Sequence, residues 1–303
     1  MEESGTVVIV GVVANLLIAL SKLGAGAISG SASLLAEGMH SVVDTINSGL
    51  LLVGRKRHLL PPDETHPFGH GKELYFWTVT VSLMMFAVGG GAAILRGISG
   101  VMKPEPLEDP KWSYIVIAVA GVIAGVSCVF AYRKFRKDHQ GLGFWDAVEH
   151  AKDPLKFMVV FEDGAEVVGL FIAFVVTFLA HKLKLPWLDG VGSILIGVLL
   201  GVMAVMLANE SRKLLIGERA DKRLIRAIVE RIGAEPSVKA VHDPRTMHFG
   251  PKSIVVAVGV ELDPELKAEQ AAWAMLRLEQ ALKAVHPEIS YLYLKLKPVR
   301  DVV

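Results

Sequence analysis

The sequence predicts a polytopic α-helical membrane domain of six spans over residues 1–212. A small cytoplasmic α+β domain over residues 213–303 follows it. Three observations carry this expectation. Of the 303 residues, 52% are hydrophobic and the mean hydropathy is +0.46, well above ordinary soluble domains. The apolar excess falls in runs of about 20 residues, the length a bilayer requires, all before Asn209. Beyond Asn209 the pattern changes to amphipathic helices and alternating strands of an α-β-β-α-β order.

The six runs are Val7–Ile28, Leu34–Val53, Trp77–Leu95, Tyr114–Tyr132, Val159–Ala180 and Val191–Leu207. The first exceeds the roughly 7–15 apolar residues of a signal-peptide core and has no basic stretch before it, so it reads as a retained span. Glycines recur in the runs at spacings that let helices pack closely in lipid. Arg55, Lys56, Arg57 and Lys72 follow the second run, and Arg133, Lys134, Arg136, Lys137 and Lys152 follow the fourth. The other loops hold only Lys103 with Lys111, and Lys182 with Lys184. By the positive-inside rule both termini are cytoplasmic. The single cysteine, Cys128, lies in an apolar run and is read as packing, so neither disulfides nor a thiolate zinc site is expected. The net charge of +1 calls for no nucleic-acid partner.

Polar groups inside these runs are costly, and they mark an ion or substrate path. On the second run Glu37, His40 and Asp44 are three and four residues apart and share one helix face. An imidazole and a carboxylate at i and i+4 can converge on one divalent ion; the competing reading is a polar network that packs helices. The fifth run opens with Glu162, Asp163 and Glu166. Glu162 and Glu166 share a face and Asp163 lies on the adjoining one, and either face can meet the cavity.

Between the second and third runs, Asp63, His66 and His70 fall within eight residues held by proline and glycine turns. They form a possible second metal site at the cytoplasmic surface, or else a hydrogen-bonded loop. Arg133–Pro154 reads as a short surface helix around Trp145 and Val148, with His139 and His150 solvated.

In the tail, Leu224, Ile225, Ile228, Val229 and Ile232 have helical spacing. Ile254, Val256, Val258, Val260 and Leu262 alternate as a half-buried strand, preceded by another before Gly250-Pro251. Ala268–Val285 is helical, and Tyr291–Lys297 alternates with Leu292, Leu294 and Leu296 inward. A domain this small has a marginal core, so pairing with a second copy is expected. His242, His248 and His286 have no ligand spacing and read as structural or solvated.

Two stretches, Ser33-Leu34-Leu35-Ala36-Glu37-Gly38-Met39-His40-Ser41-Val42-Val43-Asp44 and His66-Pro67-Phe68-Gly69-His70-Gly71-Lys72-Glu73, resemble the cation diffusion facilitator (zinc transporter) family. Asp189 at the start of the sixth run and the tail, ferredoxin-like in that family, also fit. The resemblance implies a metal/proton antiporter with its transport ion between the second and fifth spans, held by two residues four apart on each. His40 and Asp44 match the second-span pair. Asp163 matches the fifth-span aspartate, with Gly169 six residues on. The position four before Asp163 is Val159, where a ligand is usual, and Glu162 is the implied substitute, with Glu37 and Glu166 as further candidates. This departure resembles the branch containing the mitochondrial zinc transporter. Asp63, His66 and His70 match a loop site of some members. In the tail only His242 fits, and Lys295 and Lys297 stand where other members have ligands; a lysine ammonium has no lone pair for a metal.

The expected activity is therefore export of Zn²⁺, with Mn²⁺ or Fe²⁺ as alternatives, by alternating access about a midplane site. Histidine and carboxylate must lose protons to bind metal, so protons are the counter-ion. His40 is the natural exchanger, because an imidazole titrates near about 6.5. The expected setting is a homodimer in the lipid bilayer of a bacterial inner membrane, with no organic cofactor. No HExxH pair or Ser/Lys dyad suggests an enzyme, and no nucleotide-binding glycine loop suggests a pump. A non-transporting metal sensor or scaffold is the alternative.

Overall fold

A computed structural model describes residues 2–104, 106 and 109–298, with the side chains of residues 2–15, Glu149 and His150 outside the description. Two compact units emerge. One comprises Met1–Lys56 with Phe76–Arg212, the other Arg57–Tyr75 with Lys213–Val303.

In the first unit the long helices are α1 (Glu2–Ser29), α2 (Ala32–Arg57), α5 (Lys111–Asp138), α7 (Pro154–Leu183) and α8 (Trp187–Ile216). A further rod is formed by α3 (Glu73–Met84), a π-helical turn (Met85–Gly91) and α4 (Ala92–Met102). Each predicted run lies on one of these rods. Among the described residues, four rods are long and apolar enough to cross a membrane: Glu73–Met102, Lys111–Asp138, Pro154–Leu183 and Trp187–Ile216. Leu16–Ser29 of α1 is a shorter apolar stretch, and the polar stripe and basic end of α2 lower its hydropathy. The short helix α6 is Phe144–His150, with Trp145 exposed and Val148 buried. His139, expected to be solvated, is half-buried: its Nδ1 lies 3.0 Å from the Phe135 carbonyl and its ring stacks on Phe135. His150 lies outside the described side chains.

Small residues set how the rods meet. A Cβ at Gly26 would strike Leu35, and one at Gly38 would strike Leu23, so α1 and α2 touch backbone to side chain. The π turn carries Gly89, Gly90 and Gly91, and Gly90 lies against Gly197 and Gly201 of α8. Helix α7 starts from Asp153, whose carboxylate accepts the Leu155 N–H at 3.1 Å, with Pro154 in the first turn where its missing N–H costs nothing.

Asp189, in the first turn of α8, caps α2. It accepts from Ser33 Oγ at 2.5 Å, Ser31 Oγ at 3.0 Å, Ser33 N at 3.2 Å and Ala32 N. It is only 4% exposed, so truncation leaves several buried donors unpaired. Asp189→Ala is expected to cost about 2 kcal/mol, the upper end for a lost cap. Thermal unfolding in detergent reads this, and an unchanged melting temperature would remove the cap from the account.

In the second unit α9 (Lys222–Gly233) and α10 (Ala268–Val285) cover one face of a sheet. Their Ile225, Ile228, Ile232, Leu278 and Leu282 meet Ile254, Val256, Val258, Val260 and Leu262. The sheet centres on β3 (Ser253–Leu262). Strands β1 (Val238–Val241) and β2 (Arg245–Gly250) run antiparallel to β3, and β4 (Ile289–Leu296) runs parallel to it. β1 pairs near Val260–Leu262 and β2 with Ser253–Ala257, so the two are halves of one strand interrupted at His242-Asp243-Pro244. Proline has no N–H to give the ladder. With that break, the order agrees with the predicted α-β-β-α-β. Leu296, predicted inward, is exposed, because the pairing of β4 with β3 ends there at Val260.

Candidate functional site

On α2, Glu37, His40, Asp44 and also Asn47 form one stripe, with Glu37, His40 and Asn47 fully or almost fully buried. His40 Nδ1 lies 3.3 Å from Asp44 Oδ2 without hydrogen-bond alignment. Glu37 Oε1, both His40 nitrogens, Asp44 Oδ1, Glu162 Oε1 and both polar atoms of Asn47 are buried without a protein partner. Leaving such atoms unmade is expensive, although the ligand atoms of His40, Asp44 and Glu162 do not all lie within 4.8 Å of one another.

On α7, Glu162 lies one turn before Glu166, which Lys22 joins to Glu37 and Ser41 of α2. Asp163 is turned aside: its Oδ2 accepts from Ser127 Oγ of α5 at 2.7 Å. Val159, four residues before it, is 45% exposed. The face of α7 toward α2 is therefore that of Glu162 and Glu166, rotated by one residue from the face carrying Val159 and Asp163. Val159, the residue that departs from the family pattern, lies on the other face.

Glu166 and one oxygen of Glu37 are held by a lysine. The Lys22 ammonium of α1 donates to Glu166 Oε1 at 2.7 Å and Ser41 Oγ at 2.8 Å, and lies 3.4 Å from Glu37 Oε2. Sequence reasoning missed Lys22, although one lysine within the apolar stretch Leu16–Ser29 was a visible signal. Gly169 makes room for this arrangement, since a Cβ there would fall on Glu37 Oε1.

In the second unit the loop after α2 brings Asp63, His66 and His70 together. Among the described residues they are the one group of three or more such side chains with ligand atoms all within 4.8 Å of one another. Asp63 Oδ1 is 3.3 Å from His66 Nδ1, and Asp63 Oδ2 is 3.4 Å from His70 Nε2. The Thr65 hydroxyl and the His66 N–H donate to Asp63 and hold its carboxyl down to about 2. The ionised form thus stabilises this turn above the ordinary value of 3.8. That support fades as pH falls through about 2, and the carboxylate is available to a cation at any milder pH.

This loop is bound to the tail sheet. Phe68 packs on Phe249 and edge-on to Tyr291, each at 5.1 Å between centroids, Tyr291 Oη donates to the Pro67 carbonyl at 3.2 Å, and Lys72 Nζ sits 4.8 Å over Phe249. A Cβ at Gly71 would fall on the Phe249 carbonyl. Gly71→Ala is expected to lift the loop from the sheet and to raise tryptic cleavage at Arg57 and Lys72 several-fold. Unchanged protection would mean that the loop yields without undocking.

The tail histidines are engaged with acids or buried. His242 Nε2 is 2.8 Å from Glu261 and His286 Nδ1 is 3.4 Å from Glu288, while His248 is buried in β2. No two of them belong to the metal-competent group.

Residues 8–216 match the family model described as the cation efflux transmembrane domain. The chain is 31% identical over 265 residues to the mitochondrial proton-coupled zinc antiporter SLC30A9 of Xenopus laevis, covering 87% of this chain and 47% of that protein. It is 28% identical over 276 residues to the cation-efflux pump FieF of Cronobacter sakazakii, covering 91% and 86%. An uncharacterized transporter of Methanocaldococcus jannaschii is 26% identical over 286 residues, 93% of each chain. The chain thus spans about half the length of the SLC30A9 relatives. Among solved structures, a MamM C-terminal domain matches at 23% identity over 26% of this chain and 95% of that chain, with a TM-score of 0.25.

Proposed function

The chain belongs to the cation efflux (cation diffusion facilitator) family, and from that premise we propose that it is a proton-coupled carrier exporting Zn²⁺ from the cytoplasm. The observation that carries this reading is the set of unpartnered buried atoms on facing helices: His40 Nδ1 and Nε2, Asp44 Oδ1 and Glu162 Oε1. One imidazole and two carboxylates make a mixed nitrogen and oxygen set that suits Zn²⁺, with Mn²⁺ next as oxygen content rises.

These donors bind metal only when deprotonated. A site that opens alternately to each side therefore exchanges protons for metal without a further energy source. The six rods are read as six spans with both termini cytoplasmic, from the basic residues after α2 and α5. Asp63, His66 and His70 form a second cation site on the cytoplasmic side. The tail, with Trp273, Val285 and Tyr293 exposed, pairs with a second copy. SLC30A9 is named as a proton-coupled zinc antiporter, which supports both the cargo and the counter-ion.

The test is metal uptake into proteoliposomes under an imposed pH gradient, with Zn²⁺, Mn²⁺ and Fe²⁺ compared. Zn²⁺ flux that follows the gradient is the expected result. No flux of any ion, with metal still bound, would replace the carrier by a membrane sensor or scaffold.

A further inference from the structure

Lys22 is fully buried and draws α1, α2 and α7 to one point. Its ammonium has three protons and three partners, Glu166, Ser41 and Glu37, so its donor capacity is used up. Those partners border the proposed cargo site. Ser41 follows His40, Glu37 is one turn before it on the same stripe, and Glu166 is one turn beyond Glu162. Counting acids on the facing stripes of α2 and α7 gives four: Glu37, Asp44, Glu162 and Glu166. Lys22 engages Glu166 and one oxygen of Glu37, and leaves Asp44, 3.3 Å from His40, and Glu162 without a cation partner.

We propose that Lys22 is the selectivity-determining residue of the carrier: a tethered cation that occupies Glu37 and Glu166 and so confines the cargo to His40, Asp44 and Glu162. This rests on the carrier reading above. With Lys22 present, the groups not tied to a cation are one imidazole and two carboxylates, while Glu37 is anchored through Oε2 and keeps only Oε1 without a partner. Without it, two more carboxylates face the same space, and the set becomes rich in hard oxygen donors. Imidazole-containing sites suit Zn²⁺, whereas oxygen-rich sites suit Mn²⁺ and harder cations. A lysine performs this exclusion well, since it has no lone pair to ligate the cargo and is covalently bound to α1. Gly169 is part of the device, because any side chain there would push the Glu37 carboxylate away from α7, where Lys22 joins it to Glu166.

The experiment compares initial uptake of Zn²⁺ and Mn²⁺ by the full chain in proteoliposomes under one pH gradient. The proteins are wild type, Lys22→Arg, Lys22→Met, and the triple variant Lys22→Met/Glu37→Gln/Glu166→Gln. Lys22→Met is expected to move the Zn²⁺:Mn²⁺ ratio toward Mn²⁺ by about tenfold, the scale of altered metal surroundings. Lys22→Arg keeps the wild-type ratio, and the triple variant returns to it because the released carboxylates are gone. A merely structural lysine would leave the ratio equal in every variant that folds, and that result overturns the proposal. Should Lys22→Met not fold, Lys22→Met/Glu166→Gln still frees Glu37 and must still shift the ratio; an unchanged ratio there also overturns it. If wild type carries neither metal, the carrier reading fails by itself. Equilibrium binding of Zn²⁺ and Mn²⁺ to the same detergent-solubilised variants then decides selectivity, with the same ratios expected.

Discussion

Asp44→Ala is expected to abolish metal flux, lowering it by at least about 100-fold, because even partners that only orient a metal's ligands cost 10–100-fold when lost. Asp44 offers two carboxylate oxygens, one buried without a partner and one 3.3 Å from the His40 ring. No hydrogen bond holding helices together runs through that unpartnered oxygen, so the variant should assemble as wild type does. The loss then belongs to transport rather than folding. The same assay separates the two faces of α7. Glu162→Ala should match Asp44→Ala, while Asp163→Ala should retain most of the flux, since Asp163 is spent on Ser127. The reverse ranking would return the site to the face of Val159 and Asp163. Flux in proteoliposomes, normalised to protein that elutes as a sharp peak in detergent, is the measurement.

That ranking also marks where the sequence stops being legible. The stripe of Glu37, His40 and Asp44 could be read because helical spacing alone places three such residues on one face. The face of α7 could not. Glu162 and Asp163 are neighbours pointing about 100° apart, and the choice between them is made by packing: α5 brings Ser127 to Asp163, and Lys22 joins Glu166, one turn beyond Glu162, to Ser41 of α2. Lys22 went unread: a lysine in an apolar run is a signal, but its partners lie on two other helices and no local pattern names them. The loop motif around His66 and His70 was legible as a possible ligand set. Its attachment to Phe249 and Tyr291 was not, because aromatic contacts between distant segments leave no periodicity behind. The tail sheet was readable from the alternation in β3, whereas the break at Pro244 divides a strand whose halves are too short to alternate clearly.

The crossing of α4 and α8 gives the largest expected loss of stability. Gly190→Leu should prevent the helix domain from assembling. A Cβ at Gly190 would come within 2.7 Å of Val101 N, and within 2.8 Å of Gly100 C and the Gly97 carbonyl. The reciprocal is also true, since a Cβ at Gly97 would meet Gly190 O at 2.6 Å and Ile194 N at 2.7 Å. All of these are backbone atoms, which cannot rotate away as a flexible side-chain end can. Overpacking a core costs about 1–3 kcal/mol where side chains can yield, so a backbone clash should exceed that range. In lipid no hydrophobic force draws the helices back together once they part, because their association rests on close packing and interhelical hydrogen bonds. Separation of α8 from α4 would also disturb Asp189, one residue before Gly190, and with it the cap that orients α2 and its ligands. A contrast is available on the same chain. Gly121 and Gly125 of α5 have nothing within 4 Å of an added Cβ, and replacing either by alanine should be neutral or slightly stabilising, as expected in an open helical position. Expression yield, monodispersity and melting temperature in detergent read both. A Gly190→Leu protein that elutes and melts like wild type would show that α4 and α8 do not meet as closely as their glycines allow.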